Sequence, residues 1–120
     1  MQIIFDEKLV PELRTKYVVL ELDTVMQPKM TRPITLYALI ENIQFDQISR
    51  LPELCQQHQS MVEAYKSGKW DDAKFNAYAL KGSWRGELDE FYDSVIATVD
   101  EMSQTNIVWD GIKHTIPVED

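Results

Sequence analysis

"YVVLELDTVMQPKMTRPITLYALIEN", residues 17–42, contains two alternating runs joined by a proline-bearing connector. In the first run, residues 17–26, apolar and acidic side chains alternate with the period of two that is typical of a half-buried strand. Residues 34–42 alternate in the same way, and the connector "QPKMTRP" carries two prolines and two basic residues. The stretch therefore predicts an antiparallel hairpin.

One register of this hairpin places Leu22 opposite Leu36 on the inner face. On the outer face it pairs four polar side chains: Glu21 with Tyr37, and Asp23 with Thr35. Paired carboxylates can bind Mg²⁺ or share acid–base work, but the solvent face of any antiparallel strand has the same composition. These four residues are a candidate polar patch, and simple exposure to solvent is the preferred interpretation.

Helical periodicity follows the hairpin. A first helix is predicted from about Ser49 to Gly68, a second over residues 71–81, and a third from about Trp84 to Met102. The apolar stripe of the first helix contains Ile48, Leu51, Leu54, Cys55, His58, Met61, Val62 and Tyr65. A strand at residues 2–5 and a short helix beginning at Pro11 precede the hairpin.

The C-terminal stretch "NIVWDGIKHTI", residues 106–116, places Asp110-Gly111 between two alternating runs. An Asp-Gly pair favours a two-residue hairpin turn in which both residues have positive φ, so residues 107–116 predict a second hairpin. The chain is then one α+β domain, residues 1–120. Its small antiparallel sheet comes from the N-terminal strands and the C-terminal hairpin, with three helices inserted between them.

A short phrase occurs twice: Gly68-Lys69-Trp70 and Gly82-Ser83-Trp84. Each glycine follows a predicted helix and fits the left-handed position that ends one, so the phrase predicts a hinge between helices. The segment "YKSGKWDDAKFNAYALKG", residues 65–82, also resembles the first-to-second-helix portion of a tetratricopeptide repeat. The two Gly-x-Trp phrases are fourteen residues apart, which is too short a period for a solenoid repeat. We therefore interpret them as a feature of local helix packing.

The charge, cysteine count and hydropathy of the chain argue against several classes of function. The net charge of −8 lacks the basic footprint that nucleic acid or an anionic membrane would require, so neither is a predicted direct partner. Cys55 is the only cysteine, which suits a reducing cytoplasm. The N-terminus has no signal-peptide pattern, and no window reaches the apolar length of a membrane span.

Two side-chain sets invite a chemical interpretation. Cys55 and His58 lie three residues apart on one helix and have the spacing of half a zinc site, but both fall on the apolar stripe and a structural role is preferred. No cofactor or metal is predicted. Acidic residues crowd the last helix and form a candidate interaction surface: Glu87, Glu90, Asp93, Asp100 and Glu101. A solvated charged face is the commoner meaning of such a row.

Four segments follow one another in the order "YVVLELDTV", "ITLYALIE", "GKWDDAKF" and "GSWRGELDEFYDSV". In these segments and their order, the chain is similar to small uncharacterised proteins of T4-like phages of marine cyanobacteria. The resemblance spans most of the chain and implies a viral accessory protein made in a bacterial cytoplasm, and it assigns no functional residues. The leading hypothesis is a non-enzymatic protein-interaction or regulatory module that binds a protein partner or a second copy of itself. The alternatives are an acidic mimic of nucleic acid and a small enzyme or ligand-binding protein using the Glu21 and Asp23 face.

Overall fold

The computed structural model describes residues 2–41, 43, 45–105 and 108–114, and the side chains of all of these except 45–47 and 114. Strands and α-helices both occur, in an order that begins and ends with a strand. In chain order they are β1 (Gln2–Ile4), α1 (Val10–Leu13), β2 (Val18–Met26), β3 (Ile34–Ile40), α2 (Leu51–Lys66), α3 (Trp70–Leu80), α4 (Asp89–Ser103) and β4 (Lys113–His114). The chain is therefore α+β, as the sequence predicts.

The sheet has the strand order β1-β3-β2-β4. The predicted hairpin forms its centre, because β3 pairs antiparallel with both β2 and β1. The two-residue β4 adds to the other edge of β2 in parallel orientation. The antiparallel N-terminal part of the sheet is thus confirmed, while the C-terminal contribution has a different form.

The predicted C-terminal hairpin is wrong within residues 108–114. Val108 and Trp109 belong to no strand, and Gly111 has a φ of 80° whereas Asp110 is not left-handed. Asp110 instead accepts a hydrogen bond from the amide of Ile112 through its side chain, at 3.0 Å, so the chain turns locally before β4 joins β2. Residues 107, 115 and 116 of that prediction lie outside the described residues.

The register of the central hairpin changes part-way along β2. Glu21 lies opposite Tyr37 as predicted, but Thr24 rather than Asp23 lies opposite Thr35. One extra residue in β2 between Glu21 and Thr24 makes a β-bulge, which also removes the predicted pairing of Leu22 with Leu36. Leu22 and Asp23, the two residues of β2 at the bulge, are both buried, so Asp23 does not lie on an exposed outer face.

Four α-helices are described, and the short α1 lies between β1 and β2, where the sequence predicts a helix beginning at Pro11. The other three are inserted between β3 and β4, and α2 is the one that packs most on β2. Next, α3 packs between α2 and α4 and makes no comparable contact with the sheet.

Glycine follows the end of both α2 and α3, as the repeated Gly-x-Trp phrase predicts, but α3 is already ended by the extended backbone of Lys81. Gly68 and Gly82 have φ values of 77° and 88°, in the left-handed region. The second hinge is longer than expected, because Trp84 and Arg85 are left-handed as well, with φ of 56° and 57°. The last helix consequently begins at Asp89, and its predicted start at Trp84 is wrong.

The core lies between the sheet and the helices. Its largest fully buried side chains include Trp84, Tyr65, Tyr92, Ile40 and Met61. Within the residues that the structure describes, no helix has the length and apolar character needed to cross a membrane.

Candidate functional site

The solvent face of α3 carries two large aromatic side chains. Ala73, Ala77 and Leu80 are completely buried and define the inner face of this helix. Phe75 and Tyr78 lie on the opposite side, three residues apart, and are 72% and 55% exposed. Phe75 is more exposed than any other large hydrophobic side chain in the described helices. An aromatic pair of this size in water marks a surface suited to burial against another molecule.

Two ion pairs connect this helix to α4 on either side of Tyr78. Lys74 Nζ lies 2.6 Å from Asp100 Oδ1, and Lys81 Nζ lies 2.7 Å from Asp93 Oδ1. In each case the hydrogen bond to the aspartate is the main cause that raises the pKa of the lysine. Because all four side chains remain substantially exposed, these pairs orient the face more than they stabilise the fold.

The segment that contains α3 and α4 is strongly acidic. Residues 70–103 contain eight carboxylates against three basic side chains. Glu90 and Glu101 are exposed on α4, and the described contacts include no ion pair to either. We name the surface formed by Phe75, Tyr78, the two ion pairs, Glu90 and Glu101 the α3–α4 face.

Most of the predicted acidic surface belongs to this face. Glu90, Asp93, Asp100 and Glu101 follow the solvent side of α4 with helical spacing. Glu87 does not belong with them, because it precedes the first residue of α4 and is half-buried. Of these four acids, Asp93 and Asp100 each form an ion pair with a lysine of the α3 segment.

The predicted polar patch on the hairpin is divided by the bulge. Asp23 is buried and accepts a hydrogen bond from the hydroxyl of Tyr65, at 2.7 Å, while Glu21 pairs with Lys66 at 2.8 Å. Thr35 shares a 2.8 Å hydrogen bond with Thr24, to which Lys66 also donates. Burial and the nearby Glu21 raise the pKa of Tyr37. The contacts with Tyr65 and Lys66 thus join Asp23 and Glu21 to α2.

Cys55 and His58 also have separate environments. His58 is completely buried, and its Nδ1 and Nε2 lie 2.9 Å from Tyr92 Oη and 2.6 Å from the Glu21 carbonyl oxygen. Burial lowers the pKa of His58 and raises that of the half-buried Cys55. No hydrogen bond links Cys55 to His58 in the described contacts.

The clefts that the described residues line lie away from the predicted polar patch and from Cys55 and His58. One open cleft of about 400 Å³ lies beside Phe5, Lys8 and Arg32, and another of about 430 Å³ lies beside Arg14, Tyr17 and Leu51. Across the described part of the chain, no three or more histidine, cysteine, aspartate or glutamate side chains are grouped closely enough to hold a metal ion.

Sequence reasoning missed the aromatic half of the α3–α4 face. A signal was present, because placing Ala73, Ala77 and Leu80 inward leaves Phe75 and Tyr78 on the outside. The roles of Tyr65, Lys66 and Tyr92 had no comparable signal, since their partners are distant in sequence.

Comparison of the chain with protein-family models, with curated proteins and with solved structures gave no match.

Proposed function

We propose that the protein is a non-enzymatic interaction module that docks a partner protein through the α3–α4 face. The observation that carries this proposal is the exposure of Phe75 and Tyr78 side by side on the solvent face of α3. Removing one large apolar side chain from water contributes about 1.5–3 kcal/mol, so two adjacent aromatic rings can anchor a complex. Tyrosine is also enriched among the residues that dominate interface energies.

The surroundings of the two rings support the same proposal. A typical interface has an apolar centre and a polar, solvent-accessible rim. Here the ion pairs of Lys74 and Lys81 lie beside the aromatic pair, and the exposed Glu90 and Glu101 lie farther out on α4. We also propose that the module acts in a cytoplasm, for which its single cysteine is suited.

Two other functions receive less support. Mimicry of nucleic acid would use only the carboxylates of α4 and gives no role to the exposed rings of Phe75 and Tyr78. A catalytic or ligand-binding role for Glu21 and Asp23 requires free groups, and both carboxylates are engaged by side chains of α2.

Site-specific photo-crosslinking in the source cell tests the proposal. A photoreactive phenylalanine analogue is placed at position 75 in one variant and at position 5 in a matched control, because Phe5 is also strongly exposed, at 66%, but lies outside the α3–α4 face. We expect a discrete protein adduct from position 75 that position 5 does not give. Equal adducts from both positions, or none from position 75, would refute docking through this face.

A further inference from the structure

The chemistry of the partner follows from the charges and spacing of the α3–α4 face, and the inference rests on the function proposed above. We propose that the docked segment is a basic amphipathic helix lying along α3 and α4. Its apolar side rests on Phe75 and Tyr78, and two Lys or Arg residues spaced seven apart reach Asp93 and Asp100 of α4.

The two aspartates can each accept a second cation. Asp93 and Asp100 use Oδ1 in their ion pairs, and the described contacts give no partner to the other carboxylate oxygen of either residue. A carboxylate has about four acceptor sites, so it can bind a partner cation without releasing its lysine. Both side chains are accessible, at 58% and 49% exposure.

The spacing of the aspartates determines the spacing of the partner's cations. Asp93 and Asp100 are seven residues apart on α4, which corresponds to about 10 Å along the helix axis. A partner helix aligned with α4 matches that distance with basic residues at positions i and i+7. Its residues i+3 and i+4 then lie midway between the cations, at the level of Tyr78, which falls between Lys74 and Lys81 on α3.

The net charge of the face favours this occupant over others. The face has four carboxylates, on Glu90, Asp93, Asp100 and Glu101, against the two lysines, so a second copy of the chain would bring a face of the same sign. Nucleic acid is repelled for the same reason. A cationic helix is attracted, and electrostatic complementarity of this kind accelerates association and selects among partners.

The inference is tested by selecting random peptides of about 16 residues, roughly four helical turns, on the purified full-length protein. A parallel selection uses the double variant Phe75→Ala/Tyr78→Ala. We expect peptides that are enriched only on the unmodified protein and that contain Lys or Arg at i and i+7 around apolar residues at i+3 or i+4.

The affinity of a selected peptide is then measured on two charge variants. Asp93→Asn/Asp100→Asn should weaken binding on the order of tenfold, because both partner cations lose their carboxylates. Glu53→Gln/Glu63→Gln removes the same charge from exposed positions of α2 and should leave the affinity unchanged.

The outcomes separate the two proposals. Peptides that require Phe75 and Tyr78 but lack the basic pair would overturn the partner chemistry and leave the docking face intact. Peptides that bind both protein forms equally, or no enriched peptides, would overturn the basic-helix inference; the photo-crosslinking result decides independently whether the face docks a protein.

Discussion

His58 and Tyr92, 34 residues apart in the chain, share a 2.9 Å hydrogen bond inside a core that excludes both side chains from water. The other nitrogen of His58, Nε2, faces the carbonyl oxygen of Glu21, which can only accept, so Nε2 carries the proton. Nδ1 then accepts from the Tyr92 hydroxyl, which in turn accepts from Trp84 Nε1 at 3.0 Å. The network connects the bulge in β2 to the left-handed turn before α4, and burial favours the neutral form of its histidine.

The burial of His58 in its neutral form predicts how the stability of the protein depends on pH. Burial lowers the pKa of folded His58 below about 6.5, so the unfolded chain takes up a proton first as the pH falls. The contribution of neutral His58 to the free energy of unfolding is complete above about pH 6.5. Below that pH, the free energy of unfolding falls by no more than about 1.4 kcal/mol per pH unit through this group. The check is the free energy of unfolding in urea, measured between about pH 7.5 and about pH 5.5.

Histidine variants identify the titrating group. His58→Gln keeps a donor and an acceptor but cannot be protonated, so its unfolding free energy should vary less over this range than that of the unmodified protein. His114→Gln replaces the chain's other histidine and should retain the full slope. The reverse pattern would show that His58 does not determine the pH dependence.

Arg85 holds a left-handed conformation that glycine adopts without strain. Its φ is 57°, and its side chain is exposed. A non-glycine residue in this region is strained by about 1–2 kcal/mol, and glycine removes that strain. Part of the gain is lost because glycine also gives the unfolded chain more conformational freedom. We expect Arg85→Gly to raise the free energy of unfolding by roughly 0.5–1 kcal/mol. Arg85→Ala removes the same charge but keeps Cβ, so a gain of equal size in that variant would contradict the explanation.

Gly111 is where the C-terminal segment crosses the end of α2. A Cβ atom at this position would lie 2.8 Å from the carbonyl oxygen of Lys66, and the φ of 80° is itself unfavourable for alanine. Gly82 has a similar φ of 88° but open space around it. We therefore expect Gly111→Ala to lower the free energy of unfolding by more than about 1–2 kcal/mol, and Gly82→Ala by about 1 kcal/mol.

A second measurement locates the effect of Gly111→Ala. Trp109 donates to the Tyr65 carbonyl oxygen at 2.7 Å and packs against the ring of Trp70, so the segment is attached close to Gly111. The indole N–H signal of Trp109 in a heteronuclear NMR spectrum should shift in Gly111→Ala and stay in place in Gly82→Ala. Equal losses of stability with an unmoved Trp109 signal would mean that the Lys66 contact is unimportant.

The parts of the fold that sequence predicts are those with a local cause. Alternation over residues 17–26 and the spacing of apolar residues in α2 and α3 each reflect one element lying against the core. The β-bulge and the route of residues 108–114 have no such local pattern. The buried Asp23–Tyr65 hydrogen bond follows the bulge, and Trp109 is positioned by a carbonyl group of α2. Those contacts join distant parts of the chain.

The α3–α4 face was half predictable for a similar reason. The acids of α4 are visible as a helical row, but their pairing with Lys74 and Lys81 depends on the antiparallel packing of two helices. Cys55 and His58 show the opposite case: their spacing suggests chemistry, whereas the partners of His58 come from β2 and α4. Sequence spacing therefore located the surface better than it located the buried network.

The final prediction separates function from stability on α3. Phe75→Ala and Tyr78→Ala should each change the free energy of unfolding by no more than about 0.5 kcal/mol, because exposed side chains contribute little to the folded state. Leu80→Ala, on the buried side of the same helix, should lower it by about 2–5 kcal/mol. Urea unfolding of the three variants is the measurement. If Phe75→Ala were as destabilising as Leu80→Ala, the ring would be acting in the fold, and its exposure could no longer be attributed to a partner.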